Sequence, residues 1–89
     1  MNNTAHSDIE RLTDEIESQL LQLYRSPILT GDELRAALGF KSLDALRQSI
    51  ARGTLPVPLF SMKNRRGKYA LTKEVAQCLA NERILNRCE

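Results

Sequence analysis

Residues 29–53, LTGDELRAALGFKSLDALRQSIARG, predict two short helices separated by a tight turn. Thr30 is followed three residues later by a glutamate, the capping-box pattern that begins a helix. Gly39 has the position and the conformational freedom to end that helix. Ser42 caps a second helix, and Gly53 closes it. A link of three or four residues containing glycine is the spacing of a helix-turn-helix.

The second of these helices has one apolar and one polar face. At about 100° per residue, Leu43, Leu46 and Ile50 share the apolar face, which we expect to pack on a core. A polar helix face and its N-terminus fit a DNA major groove about 12 Å wide. The candidate DNA-contacting residues of this recognition helix are Lys41, Ser42, Asp44, Ala45, Arg47, Gln48 and Arg52.

Different roles are expected along that face. Gln48 has the amide that can read adenine through two hydrogen bonds. Lys41, Ser42 and Arg52 are better suited to phosphate, which receives most protein–DNA hydrogen bonds. The carboxylate of Asp44 is expected to stabilise the positive N-terminal end of its own helix. Its alternative role is to accept a hydrogen bond from a cytosine amine.

Residues 56–72, PVPLFSMKNRRGKYALT, predict a β-hairpin with a basic tip. The runs VPLFSM and KYAL read as strands, with Gly67 available for a positive φ in the turn. Thr72 is then expected to cap a last helix that reaches about Asn86. The cations of the tip are Lys63, Arg65, Arg66 and Lys68. They repel one another, so their clustering indicates an anionic partner such as phosphate.

The distribution of charge supports this interpretation. The net charge of +2 conceals a block, residues 41–73, that holds eight basic side chains and one acidic side chain. Residues 1–40 hold three basic and seven acidic side chains. A solvated basic surface is the alternative, because charge alone does not identify a partner.

Enzymatic function is not expected. The chain has one histidine, His6, and no plausible nucleophile–base pair. Its two cysteines, Cys78 and Cys88, have no metal-ligand spacing, so neither a metal nor another cofactor is predicted. No small-molecule ligand is evident from the sequence.

The 89 residues predict one soluble, cytoplasmic domain. The N-terminus lacks the pattern of a signal peptide, and no apolar run approaches the roughly 20 residues of a membrane span. We expect a loose tail over residues 1–6, an N-terminal helix within residues 7–26, and a DNA-binding domain over residues 27–89. Ser7 begins that helix in a capping box, and Pro27 ends it near Arg25.

The N-terminal helix carries an apolar stripe that requires a partner surface. The last helix is apolar on two sides, so the stripe can pack on it within one chain or across a dimer. The predicted dimerisation residues are Ile9, Leu12, Ile16, Leu20, Leu23 and Ile84. A homodimer is expected, because a single small module covers only about one half-site of DNA.

Residues 28–79 resemble the winged helix-turn-helix of small excisionases, AlpA-type phage regulators and pyocin-activator-type proteins, which are related to the MerR-type DNA-binding domain. The resemblance is carried by the first-helix pattern LT..EL...LG, by Ser42 at the start of the next helix, and by GTLPVP, RRGKYAL and LTKEVAQCL in that order. In this family, the positions of Ser42, Gln48, Arg65 and Arg66 commonly contact DNA. The family often has Thr, an aromatic residue and Arg in the reading helix, where this chain has Ala45, Arg47 and Gln48. The resemblance therefore implies no base preference.

The expected fold is thus mostly α with a small β-hairpin, a winged helix-turn-helix with an added N-terminal helix. The resemblance implies a double-stranded DNA-binding transcription regulator of a phage, plasmid or other mobile element. An excisionase-type architectural factor is the alternative on the same fold. A protein-interaction adaptor that binds an acidic partner is a further alternative from another class.

Overall fold

The computed structural model describes residues 4–85, with side chains from Asp8 onward. The chain is mostly helical and contains one small antiparallel sheet. Its elements in chain order are α1 (Thr4–Tyr24), β1 (Ile28–Thr30), α2 (Gly31–Leu38), α3 (Leu43–Arg52), β2 (Tyr69–Leu71) and α4 (Thr72–Leu85).

Helix α1 begins earlier than the sequence predicts. It starts at Thr4, so Ser7 lies inside the helix rather than at its cap. Residues 4–6 belong to the expected tail over residues 1–6 but are helical, because they contain no proline or glycine to stop the helix. Residues 1–3 lie outside the described residues. The other end agrees with the prediction, because Arg25 has a left-handed φ of 56° and donates its N–H to the Leu21 carbonyl at 2.8 Å.

Helices α2 and α3 form where the local signals predict them. Gly39 and Gly53 both take the left-handed conformation after their helices, with φ of 82° and 70°. The Ser42 side chain accepts a hydrogen bond from the Ala45 N–H at 3.1 Å, which caps α3 as expected. Thr30 occupies the N-cap position of α2, but its side chain makes no capping hydrogen bond.

The sheet differs from the predicted hairpin. Strand β2 pairs along its length with β1, so that Leu29 lies opposite Ala70, and both residues are fully buried. The expected strand VPLFSM contributes only one bridge, in which Phe60 and Tyr69 exchange two 2.9 Å hydrogen bonds. Pro58 has no N–H for a ladder, and Val57 instead turns into the core. The wing, residues 61–68, projects from this bridge.

One core joins the sheet to all four helices. Leu29, Leu34, Leu46 and Val75 are buried together in it, and Leu20 of α1 belongs to the same cluster. Helix α1 packs along α4 of its own chain. No helix within residues 4–85 is both long and apolar enough to cross a membrane.

The start of α4 is fixed to the end of α1. Thr72 is the first residue of α4, and its buried hydroxyl donates to the Ser26 carbonyl at 2.7 Å. Its backbone N–H donates to the Pro27 carbonyl at 2.8 Å. Thr72 is therefore the first residue of α4 rather than its expected N-cap, and its hydroxyl holds two segments together. The predicted end at Asn86 lies just beyond the described residues.

Candidate nucleic-acid interface

The polar face of α3 is open to solvent. Six of its seven predicted contact residues are exposed, and the seventh, Ala45, is half-buried. Leu46 on the opposite face is buried, and Leu43 and Ile50 pack against the core. Because an α-helix repeats every 3.6 residues, the polar side chains of α3 point away from the protein core. This face is open to a ligand as large as a nucleic acid.

Asp44 and Arg47 form an ion pair on this face. The Arg47 Nη1 lies 3.4 Å from the Asp44 Oδ1, and the two side chains are 70% and 84% exposed. Exposed pairs of this kind contribute about 0–1 kcal/mol, so water or a stronger anion competes easily for Arg47. Asp44 also lies in the first turn of α3, where its charge favours the helix dipole.

The wing is a compact turn whose cations point outward. The Arg65 N–H donates to the Met62 carbonyl at 3.2 Å, and Asn64 has a left-handed φ of 64°. Gly67 has a φ of 94°, which a side chain would disfavour, as the sequence predicts. The four wing cations, Lys63, Arg65, Arg66 and Lys68, are all exposed.

Hydrogen bonds hold the wing at its base. The Tyr69 ring is buried, and its hydroxyl donates to the Arg66 carbonyl at 3.2 Å. The Thr30 hydroxyl donates to the Lys68 carbonyl at 2.7 Å, which explains why it does not cap α2. The Lys68 Nζ donates to the Ser61 Oγ at 3.2 Å across the wing. The wing backbone is therefore fixed to the start of α2 and to the sheet.

None of the four wing cations forms an ion pair with any residue of the described part of the chain. Their mutual repulsion is therefore not offset by protein carboxylates within residues 4–85. An external anion would reduce that repulsion, and Arg binds phosphate through two parallel hydrogen bonds.

Helix α3 and the wing lie beside each other. Arg47, Ile50 and Ala51 of α3 line one cavity together with Gly67 and Lys68 of the wing. Two basic segments that are separated by about a dozen residues in sequence thus border the same part of the surface. The structure brings these predicted groups together, while Lys41 precedes the N-cap of α3 and Arg52 is its last residue.

Arg35 is a structural residue that the sequence interpretation missed. Its Nε donates to the Asp32 Oδ1 at 2.6 Å, and its Nη1 donates to the Phe40 carbonyl at 2.9 Å. The hydrogen bond from Arg35 lowers the pKa of Asp32, and the same bond raises the pKa of Arg35. The guanidinium thereby connects α2 to the turn before α3. Its i, i+3 spacing from Asp32 was the available signal.

Helix α1, which carries most of the predicted dimerisation residues, packs along α4 of the same chain, and this is the intrachain alternative. Leu20 is buried, while Ile9, Leu12, Ile16 and Ile84 are half-buried. Leu23 departs from this set, because 70% of its surface is exposed. The α1–α4 packing thus accounts for most of the stripe without a second copy.

The described part of the chain shows no candidate metal centre. Within residues 4–85 there is no group of three potential ligands that could hold a metal ion. Burial, reinforced by the charge of Glu82, raises the pKa of the Cys78 thiol, which is the reverse of thiolate activation. Cys88 lies outside the described residues.

No protein-family model, curated protein or solved structure gives a significant match to this chain. Any assignment of function therefore depends on the residues and the geometry described above.

Proposed function

We propose that this chain binds double-stranded DNA as a winged helix-turn-helix protein. In this proposal α3 enters the major groove, and the wing contacts phosphates beside it. The wing residues would position the protein, and Gln48 with its neighbours on α3 would read base edges.

The observation that carries the proposal is the juxtaposition of the two basic segments. Arg47 of α3 and Lys68 of the wing line the same cavity. The exposed polar face of α3 and the outward wing cations therefore belong to neighbouring surfaces. A duplex has a groove for the helix and a phosphate backbone next to it, so it presents both complementary features at this scale.

The fixed base of the wing also supports the proposal. The hydrogen bonds of Thr30 and Tyr69 hold the wing backbone before any ligand arrives. A pre-formed wing loses less conformational entropy on binding than a free loop would. A wing held in this way can place its cations at fixed positions along the phosphate backbone.

The biological role that fits this proposal is a transcription regulator of a phage, plasmid or other mobile element, which is what the sequence resemblance implies. A homodimer remains part of the proposal. It rests on the half-site argument, because one module of this size buries only about 600–1,000 Å² on DNA. Two copies related by two-fold symmetry would double the contact and fix the half-site spacing.

The decisive experiment selects bound duplexes from a random-sequence pool at low salt. Enrichment of a palindrome would support a dimeric regulator, and enrichment of tandem repeats would favour an excisionase-type architectural factor. Failure to shift any duplex in a gel at low salt would contradict DNA binding, and the basic surface would then be better explained by an acidic protein partner.

A further inference from the structure

A cavity of about 420 Å³ lies between the wing, the start of α2 and the inner side of α3. Its lining includes Leu34, Leu46, Arg47, Ile50, Ala51 and Lys68. Leu34 and Leu46 are almost fully buried and form its apolar floor. Small-molecule sites commonly have this character, with volumes of about 300–1,000 Å³ and a few polar groups on an apolar lining.

The charged side chains that line the cavity are all positive. Its lining includes two cations, Arg47 and Lys68, and no carboxylate. The nearest described competitor for Arg47 is Asp44, at 3.4 Å in a solvent-exposed pair. Lys68 donates to the neutral hydroxyl of Ser61, so its charge is not neutralised by that contact. An anion at the rim would therefore meet two available positive charges.

We propose that this cavity binds a small amphipathic anion, a molecule with a compact apolar body and one carboxylate. The apolar body would contact Leu34, Leu46 and Ile50, while the carboxylate would lie toward Arg47 and Lys68. A bare phosphate does not match the cavity, because its floor offers no polar partners. A neutral hydrocarbon does not use the cationic rim.

Ligand binding at this place has a consequence for the proposed DNA interface. A carboxylate bound to Arg47 and Lys68 would neutralise one candidate contact on α3 and one on the wing. It would therefore weaken DNA binding, and the anion would act as an effector. This consequence rests on the proposed DNA-binding function, whereas the binding of the anion to the free protein does not.

The first test uses the full chain without DNA, titrated with sodium hexanoate and separately with hexan-1-ol, and followed by ¹H–¹⁵N NMR. We expect hexanoate to shift the amides of Leu46, Ile50 and Lys68 and to bind about fivefold more tightly than the alcohol, since exposed charge pairs contribute on this scale. Equal affinities, or no shift at these amides, would overturn the proposal.

Matched variants test the location. Ala51 is an exposed lining residue, so Ala51→Phe should occupy the cavity and weaken hexanoate binding at least tenfold. Ala36→Phe makes the same change at an exposed position of α2 away from the cavity and should leave the affinity unchanged. Circular dichroism checks that both variants fold. Equal behaviour of the two variants would contradict the site.

A charge variant gives an independent readout. Arg47→Gln with Lys68→Gln should reduce hexanoate affinity to that of hexan-1-ol without changing the affinity for the alcohol. Undiminished hexanoate binding would overturn the role of the rim. A final titration of a protein–DNA complex with hexanoate, if DNA binds, should release the duplex; failure there with intact hexanoate binding would remove only the effector role.

Discussion

The hydroxyl of Thr30 donates a 2.7 Å hydrogen bond to the carbonyl of Lys68, thirty-eight residues further along the chain. Thr30 stands at the N-cap of α2, and Lys68 closes the wing. The bond therefore connects the start of the two-helix unit to the segment that carries the basic tip.

Loss of this bond should loosen the wing. Thr30→Val keeps the branched shape and removes the donor, so we expect destabilisation by about 1 kcal/mol and faster hydrogen exchange at wing amides. Thr54→Val is the control, because it removes a hydroxyl contact to Ser49 that involves no wing residue. Equal exchange at the Lys68 amide in both variants would contradict the role of Thr30.

The wing arginines should contribute to DNA affinity through phosphate neutralisation. For Arg65→Ala with Arg66→Ala, the slope of log affinity against log salt should fall by about 2, since each phosphate contact contributes about 0.9. Fluorescence anisotropy with a labelled duplex measures this slope. The variant Arg11→Ala with Arg83→Ala removes two exposed cations from α1 and α4 and should leave the slope unchanged. Equal slopes in wild type and the wing variant would show that the wing does not bind phosphate.

Gln48 is expected to read a base. Gln48→Ala should cost about 1–3 kcal/mol on the selected duplex and much less on random duplex, because a lost bidentate contact affects only the preferred base. Competition binding with both duplexes measures the difference. A loss of the same size on both would indicate a backbone contact instead.

Substitution of Ile16 tests whether the apolar stripe of α1 packs within its own chain or against a second copy. Ile16 packs against the core, so Ile16→Glu should cost at least about 2 kcal/mol and lower the melting temperature by roughly 8–16 °C. Leu23→Glu, at an exposed position of the same helix, should melt near the wild-type temperature. Light scattering accompanies the melts. A variant that melts like wild type but has half its mass would show that the stripe joins two chains.

Asp32 should titrate below its ordinary value of 3.8, because Arg35 hydrogen-bonds its ionised form. A lowered folded pKa means that the stabilisation is complete above the unfolded pKa and is lost as pH falls through the folded one. NMR detection of the Asp32 carboxyl carbon should show its midpoint rising in Arg35→Met and remaining in place in Arg47→Met. An unchanged midpoint in Arg35→Met would contradict this assignment.

Much of the α2–α3 unit could be predicted from sequence because its determinants are local. Gly39, Ser42 and Gly53 act within one helical turn of their own positions, and each ends or begins a helix as expected. The basic tip was equally visible, since charge clustering in a turn needs no knowledge of packing. The start of α1 was predicted wrongly because the pattern at Ser7 resembles a cap that the continuing helix does not use.

Only the tertiary structure decided which distant segments meet. Strand β2 pairs with β1 across some forty residues of sequence because Leu29 and Ala70 are buried in the common core, whereas the nearer segment at Pro58 lacks a ladder donor. The docking of α1 on α4 and the cavity beside Arg47 arise in the same way. Sequence patterns fix local backbone conformation and the faces that must be covered, but an apolar face does not specify its partner. That choice depends on the simultaneous packing of the whole chain.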